Sequence, residues 1–157
     1  MQIIKNFLSD TDFQNIKKTL TSINFPYYFC DEVADYKDDK NFYFKHELYF
    51  KNIPKSNFFN SILPLIDKLN VKSLIRAKIN LFPRTEKLIK YGEHVDFDFS
   101  HKGAILYINN CDGGTYIGDK FIPSVENQVL LFNPNTMHQS TNCTNKKRRI
   151  NININYF

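Results

Sequence analysis

Tryptophan is absent from this chain of 157 residues, glycine occurs only five times and cysteine three times. Cys30, Cys111 and Cys143 are odd in number and far apart, with no C-x-x-C pair. That spacing suggests neither a disulfide scaffold nor a zinc ribbon, and a reducing, cytoplasmic setting is expected. Long hydrophobic runs are also missing. The opening "MQIIKNFLSDTDF" reaches Ser9 and Asp10 too soon for the apolar centre of a signal peptide, and no later run approaches the roughly 20 apolar residues of a membrane span. No membrane partner is expected. A formal charge of +5 is spread along the chain, and its one dense cluster, Lys146 to Arg149, reads as a solvated turn. The charge therefore favours acidic partners only weakly, and nucleic acid is not expected as a partner. Without repeats or a low-complexity linker, residues 1–157 fit a single domain, with residues 1–70 a helical support containing one strand and residues 71–157 a β-rich core.

What is present divides into two patterns. Ser9 and Asp12 begin a capped amphipathic helix whose stripe is Phe13, Ile16, Leu20 and Ile23, with Leu8 as a staple. "DEVADYKDDKN", Asp31 to Asn41, is polar enough for a mobile loop. "FYFKHELYF" alternates: Phe42, Phe44, His46, Leu48 and Phe50 share one face, and Tyr43, Lys45, Glu47 and Tyr49 the other. A second helix is predicted over Ser56 to Leu69, with Pro64 kinking it or marking its true start. Beyond it the helical period ends. "LIRAKINLF", "GAILYINN", "TYIGDKFI", "NQVLLFN" and "RRINININYF" are short β-rich segments between turns. Helices followed by a run of strands predict a mainly β fold, an antiparallel barrel or jelly roll with two N-terminal helices on one outer face.

The stretch "HVDFDF" places His94 before two acidic residues, Asp96 and Asp98. On a straight strand both acids share the histidine's face, but the Cβ of Asp98 would lie roughly 13 Å from that of His94. An imidazole and a carboxylate on one ion span only about 9 to 10 Å between Cβ atoms, which selects Asp96. His138, after the apolar strand Val129 to Phe132 and a turn with Pro134, supplies a third candidate ligand. Two histidines and one carboxylate leave coordination positions open, the pattern of non-haem Fe(II) oxygenases. His46 reads instead as a packed core histidine, and His101, beside Lys102, as a turn residue.

"HVD", "LYIN", "GGTY", "VLLFNPNTMH" and "RINININY", in that order, resemble the Fe(II)/2-oxoglutarate-dependent dioxygenases, and as a set their prolyl 4-hydroxylase-like branch. The resemblance covers about residues 75 to 157, with a looser likeness in "IIKNFLSDTDF". It implies a double-stranded β-helix in which His94, Asp96 and His138 bind Fe(II), while Tyr107 and an arginine of the last strand hold the distal carboxylate of 2-oxoglutarate. Strand parity chooses between the arginines: Arg148 shares a face with Ile150, Ile152 and Ile154, and Arg149 shares one with Asn151, Asn153 and Asn155. If the isoleucines are buried under the helices, Arg149 faces the pocket and can clamp a carboxylate.

Asn151 stands where many relatives carry Ser or Thr and is a further candidate donor to the cosubstrate. Phe82 replaces a cofactor-touching tyrosine, so that contact is lost or passes to Asn80. Asn155 replaces an aromatic residue. "CDGGTY" reads as a tight turn tolerant of positive φ.

The implied reaction uses Fe(II), O2 and 2-oxoglutarate, releases succinate and CO2, and hydroxylates a peptidyl residue or small molecule. Residues Asp31 to Asn41, Arg84 to Gly92 and Ser100 to Lys102 are expected to shape its mouth. A non-catalytic jelly-roll binding module, or a cupin-like metal enzyme that does not use 2-oxoglutarate, are the alternatives.

Overall fold

The alternating segments of the second half form strands, and the apolar face of each decides where it packs. The computed structural model describes residues 1–34 and 41–157. Its strands are β1 (Gln2–Ile4), β2 (Tyr28–Cys30), β3 (Tyr43–Phe50), β4 (Ile53–Pro54), β5 (Leu74–Pro83), β6 (Lys102–Tyr107), β7 (Gly114–Ile117), β8 (Lys120–Pro123), β9 (Val129–Phe132), β10 (His138–Ser140) and β11 (Arg148–Tyr156). The helices are α1 (Asp10–Thr21) and α2 (Leu63–Lys68), the latter entered through a 3-10 turn, Phe59–Ile62. The larger sheet runs β1-β9-β6-β11-β5-β3-β2 with β4 beside β3, and the smaller runs β10-β7-β8. Every ladder is antiparallel. The fold is thus mainly β with few helices. No described helix is long and apolar enough to cross a membrane.

Strand β11 sits at the centre of the large sheet and separates two environments. Ile150, Ile152 and Ile154 join Ile79 of β5 and Leu106 of β6 in a core that also takes in Phe13, Ile16 and Leu20 of α1 and Leu65 of α2. The opposite face of β11 carries Arg149, Asn151, Asn153 and Asn155, all buried. Side chains alternate across a strand, so one sequence supplies an oily wall and a polar wall at once.

Local details depart from the sequence reading. Ser9 caps α1, its Oγ accepting from the Asp12 N–H at 3.1 Å, and Leu8 is buried in the same core. Ile23 does not join the stripe: Ser22 turns extended after Thr21, ending the helical period, and Ile23 is 98% exposed. The second helix is shorter than Ser56 to Leu69, because Pro64 is tolerated only in a first turn and α2 begins at Leu63. Among the described residues, positions 1–70 contribute four strands rather than one; β1, β2 and β4 are edge strands of two or three residues, too short to carry a periodic pattern. In β3 the register shifts between Glu47 and Tyr49, so Leu48 is buried and Tyr49 packs on the same core instead of facing away. The loop from Asp31 to Asn41 lies mostly outside the described residues.

Gly113 and Gly114 are needed for space and not for positive φ, which among the glycines only Gly118 adopts. A Cβ at Gly113 would fall on the Asn142 carbonyl oxygen, and one at Gly114 on the Ile122 carbonyl oxygen. Gly113→Ala should therefore destabilise the protein by about 2 kcal/mol or more, since rigid backbone must shift. Urea denaturation checks this, and an unchanged midpoint would contradict the close approach.

Candidate functional site

The H-x-D segment is not part of a strand ladder. His94 and His138 form an isolated bridge, in which the His94 N–H donates to the His138 carbonyl at 3.0 Å and the His138 N–H returns to the His94 carbonyl at 2.9 Å. Directly paired residues project to the same side, and the two rings lie 4.4 Å apart between centroids. The Asp96 N–H donates to the Pro134 carbonyl at 3.0 Å, folding the segment back toward the same turn. Ligand atoms of His94, Asp96 and His138 consequently lie within 4.8 Å of one another. Asp98 is exposed and outside this group. Its exclusion follows from the path of the loop, since the straight-strand spacing does not apply here.

Both histidines are held in one tautomer. Nδ1 of His94 lies 3.2 Å from the Gly92 carbonyl, and Nδ1 of His138 lies 2.9 Å from the Thr136 carbonyl. A carbonyl can only accept, so each Nδ1 carries the proton and each Nε2 keeps a lone pair for a metal. Burial, then the neighbouring His138, pushes the His94 pKa down to about 4 from 6.5. Burial lowers that of His138 as well. Above about pH 6.5 His94 is neutral in folded and unfolded chains alike. As pH falls through that value the unfolded chain takes up a proton first, so the metal-free protein should lose stability down to about pH 4. The loss is on the order of 2 kcal/mol for this partly exposed ring. Urea midpoints measured across that window check the sign.

Asp96 is gripped from several sides, its side chain only 2% exposed. Oδ1 accepts from Arg76 Nη2 at 2.5 Å, and Oδ2 accepts from Asn155 Nδ2 at 2.9 Å and Asn153 Nδ2 at 3.3 Å. Arg76 Nε in turn donates to Asn155 Oδ1 at 3.1 Å. Burial opposes ionisation, but Arg76 and then Lys78 outweigh it and hold the Asp96 carboxyl well below the usual carboxylate range. His101, read as a turn residue, belongs to this network. It is buried, its Nδ1 lies 2.8 Å from the Phe99 carbonyl, and its Nε2 accepts from Asn155 Nδ2 at 3.0 Å. Arg76, Asn153 and His101 escaped the sequence reading because they hold Asp96 and Asn155 in place without joining the candidate cluster. The polar period of "LIRAKINLF", with Arg76, Lys78 and Asn80 on one face, was the signal available for Arg76. His46 is a packed histidine, bonded at 2.6 Å to both the Pro26 carbonyl and Ser56 Oγ.

The remaining candidates lie on the same polar wall. Arg149 is 0% exposed, while Arg148 lies on the isoleucine side. Arg149 Nη1 donates to the Thr141 carbonyl at 2.8 Å and Nη2 to Thr115 Oγ1 at 3.2 Å, and Nε has no partner. Its guanidinium stands 5.2 Å from the Phe82 ring centroid and 5.6 Å from that of Tyr107. The Tyr107 hydroxyl donates to Thr115 Oγ1 at 2.9 Å. Among the described residues the ion pairs are Lys17–Glu126 and Arg76–Asp96, so Arg149 has no carboxylate partner. Asn80 Nδ2 donates to Asn151 Oδ1 at 2.9 Å while Asn80 Oδ1 stays unpartnered. Asn80, Asn151, His94 and His138 share the walls of one cavity of about 30 Å³. That volume holds a water, so wall side chains must move to admit anything larger.

A wider cavity, about 460 Å³, opens onto His94 and Asp96. Lys45, Arg76 and Lys78 line it together with residues 30–32. Burial, then Arg76, brings the Lys78 pKa down to about 8. Neither Arg84 to Gly92 nor Ser100 to Lys102, expected at the mouth, lines this cavity. The first is tied down, with Asn142 accepting from the Ile89 N–H at 2.7 Å and donating to the Lys87 carbonyl at 3.2 Å. A larger cavity of about 710 Å³ beside His46 and Phe58 contains none of the three candidate ligands.

No protein-family model and no curated protein matches the sequence. Solved structures do match. A prolyl hydroxylase from Trichoplax adhaerens, in complex with a hypoxia inducible factor oxygen degradation domain peptide fragment, superposes with a TM-score of 0.73 at 14% identity, covering 99% of this chain and 82% of that one. The viral collagen prolyl hydroxylase of Paramecium Bursaria Chlorella virus-1, in its 2-oxoglutarate complex, gives 0.63 at 13% identity, covering 98% and 93%. The non-heme alpha ketoglutarate dependent epimerase of nogalamycin biosynthesis gives 0.66 at 11% identity, covering 99% and 76%. At such identities the likeness establishes the fold: this chain has the fold of the prolyl hydroxylases and 2-oxoglutarate-Fe(II) oxygenases.

Proposed function

We propose that this chain is an Fe(II)- and 2-oxoglutarate-dependent oxygenase, a single domain over residues 1–157 built on a double-stranded β-helix with two helices packed against it. His94, Asp96 and His138 are its iron ligands. Arg149, Tyr107, Asn151 and Asn80 receive 2-oxoglutarate. It hydroxylates a peptidyl residue or small molecule and releases succinate and CO2. Three cysteines without disulfide partners fit a cytoplasmic location.

The observation that carries this reading is the buried, unpaired guanidinium of Arg149 on the same polar wall as two neutral histidines and an ionised aspartate. A desolvated cation without a counter-ion costs several kcal/mol, and a carboxylate ligand removes that cost. The donor set also fits iron: two imidazoles and a carboxylate on one face suit a non-haem ferrous ion. Fe(II), when bound, supplies open coordination positions for the cosubstrate and O2.

The chain's own groups do the rest. The Gly92 and Thr136 carbonyls fix the histidine tautomers. Arg76, Asn153 and Asn155 keep Asp96 ionised and oriented. Arg149, with Tyr107 and Thr115 beside it, offers a planar fork to a carboxylate. Phe82 and Ile105 line the small cavity of the polar wall with apolar surface, limiting the water that reaches it. A peptidyl substrate has precedent in the fold through the Trichoplax adhaerens complex.

The test is anaerobic loading with Fe(II) and 2-oxoglutarate, then O2, with succinate measured across a substrate screen. Succinate that depends on all three components and rises above the uncoupled background with one substrate class is the expected result. Protein that binds neither Fe(II) nor 2-oxoglutarate is not such an enzyme.

A further inference from the structure

Resting on the oxygenase reading, we infer that the mouth of the site receives the anionic end, a carboxylate or a phosphate, of a small acidic substrate, held by Lys45, Arg76 and Lys78. Register brings the three cations together. Lys45 of β3 lies opposite Asn80, and Lys78 and Arg76 follow on the same face of β5. All three line the cavity that also exposes His94 and Asp96. Arg76 commits Nη2 to Asp96 and Nε to Asn155, leaving Nη1 without a partner among the described residues. The ammonium groups of Lys45 and Lys78 make no hydrogen bond or ion pair with any described residue.

Arg76 is paired with Asp96, and the carboxylates of Asp31 and Glu32 are exposed and screened by solvent, so Lys45 and Lys78 beside Arg76 still attract an anion into the cavity. The proposed cofactors do not supply it: a ferrous ion, Asp96, Arg149 and a dicarboxylate already cancel in charge. Beyond Asp31, Glu32 and Asp96 no described carboxylate lines this cavity, and the further negative charge is assigned to the substrate. Asp31 and Glu32 also line this cavity, and both are exposed. They repel a polyanion such as a nucleic-acid backbone and tolerate a molecule whose trailing part is neutral or basic. A volume of about 460 Å³ suits a small molecule.

The test titrates two matched pairs, benzoate against benzamide and phenyl phosphate against phenol, into the full chain loaded with Mn(II) and N-oxalylglycine, an unreactive 2-oxoglutarate analogue. At least one anion should bind about tenfold or more tightly than its uncharged partner. Whichever anion shows the preference identifies the oxyacid. Lys78→Met and Lys45→Met should each remove most of that preference, and Lys78→Arg should keep it. Equal binding of charged and uncharged partners, or a preference that survives both methionine substitutions, overturns the inference and leaves the oxygenase reading intact. Failure of the unsubstituted chain to bind Mn(II) or N-oxalylglycine overturns that reading instead. The same titrations on metal-free protein then decide the lysine site alone, where a lysine-dependent anion preference supports it and none overturns it.

Discussion

Arg149→Met should lower 2-oxoglutarate affinity at least about a hundredfold while Fe(II) still binds. The guanidinium is fully buried, lies between the Phe82 and Tyr107 rings, and has Nε unpartnered. Leaving a desolvated carboxylate opposite a thioether forfeits a buried, charge-assisted pair whose loss typically costs about 3 to 5 kcal/mol. Stability should respond differently. Methionine fills much of the same volume, and the folded chain no longer buries an unpaired cation. Against that, the Thr141 carbonyl and Thr115 Oγ1 each lose a donor, at about 1 kcal/mol apiece. The denaturation midpoint of the metal-free variant should therefore stay close to that of the parent. Arg149→Lys should recover part of the affinity, since a point charge attracts a carboxylate without the bidentate fork. Anaerobic titrations of Fe(II) and of 2-oxoglutarate, run separately, check the split. Unchanged cosubstrate affinity in Arg149→Met would remove Arg149 from the binding site.

Arg149 also illustrates what a sequence can reveal. On β11 the isoleucines and asparagines alternate without interruption over 150–155, so burying either set fixes the direction of the other. A long, strictly periodic strand therefore carries its own orientation. The same logic fails where periodicity is short or broken. Strands β1, β4 and β10 have three residues or fewer and exist because a neighbour offers unpaired backbone. The shift in β3 adds a residue that no local pattern announces. At the candidate site, the cluster of His94, Asp96 and His138 was legible because metal chemistry restricts the candidate residue types to a few. Support was not: Arg76 is separated from Asp96 by 20 positions and Asn155 from it by 59. Only the sheet order, with β5 beside β11, brings them together. The supporting contact of His101 was hidden for the same reason, since nothing near it in the sequence places Asn155 against it.

Asp96→Asn should abolish tight Fe(II) binding and also destabilise the metal-free protein by about 3 kcal/mol. The two losses have separate causes. At the proposed site iron would lose its one carboxylate among the described candidate ligands, and an amide oxygen is a far weaker donor to it. Stability falls because Arg76, Asn153 and Asn155 all donate to this carboxylate. An amide presents one acceptor and turns an N–H toward at least one of those donors, while Arg76, only 15% exposed, loses its counter-charge. The double variant Asp96→Asn/Arg76→Met separates the causes. Removing the stranded cation should restore most of the lost stability, while Fe(II) binding stays absent. A double variant as unstable as the single one would show that the ion pair is not the source of the loss, and Fe(II) affinity retained in Asp96→Asn would move the carboxylate ligand elsewhere. Arg76→Met alone then reports on tuning. With the guanidinium gone, burial acts less opposed and Asp96 titrates at higher pH. Protons then compete with the metal sooner on acidification, so Fe(II) affinity in this variant should fall away at a higher pH than in the parent.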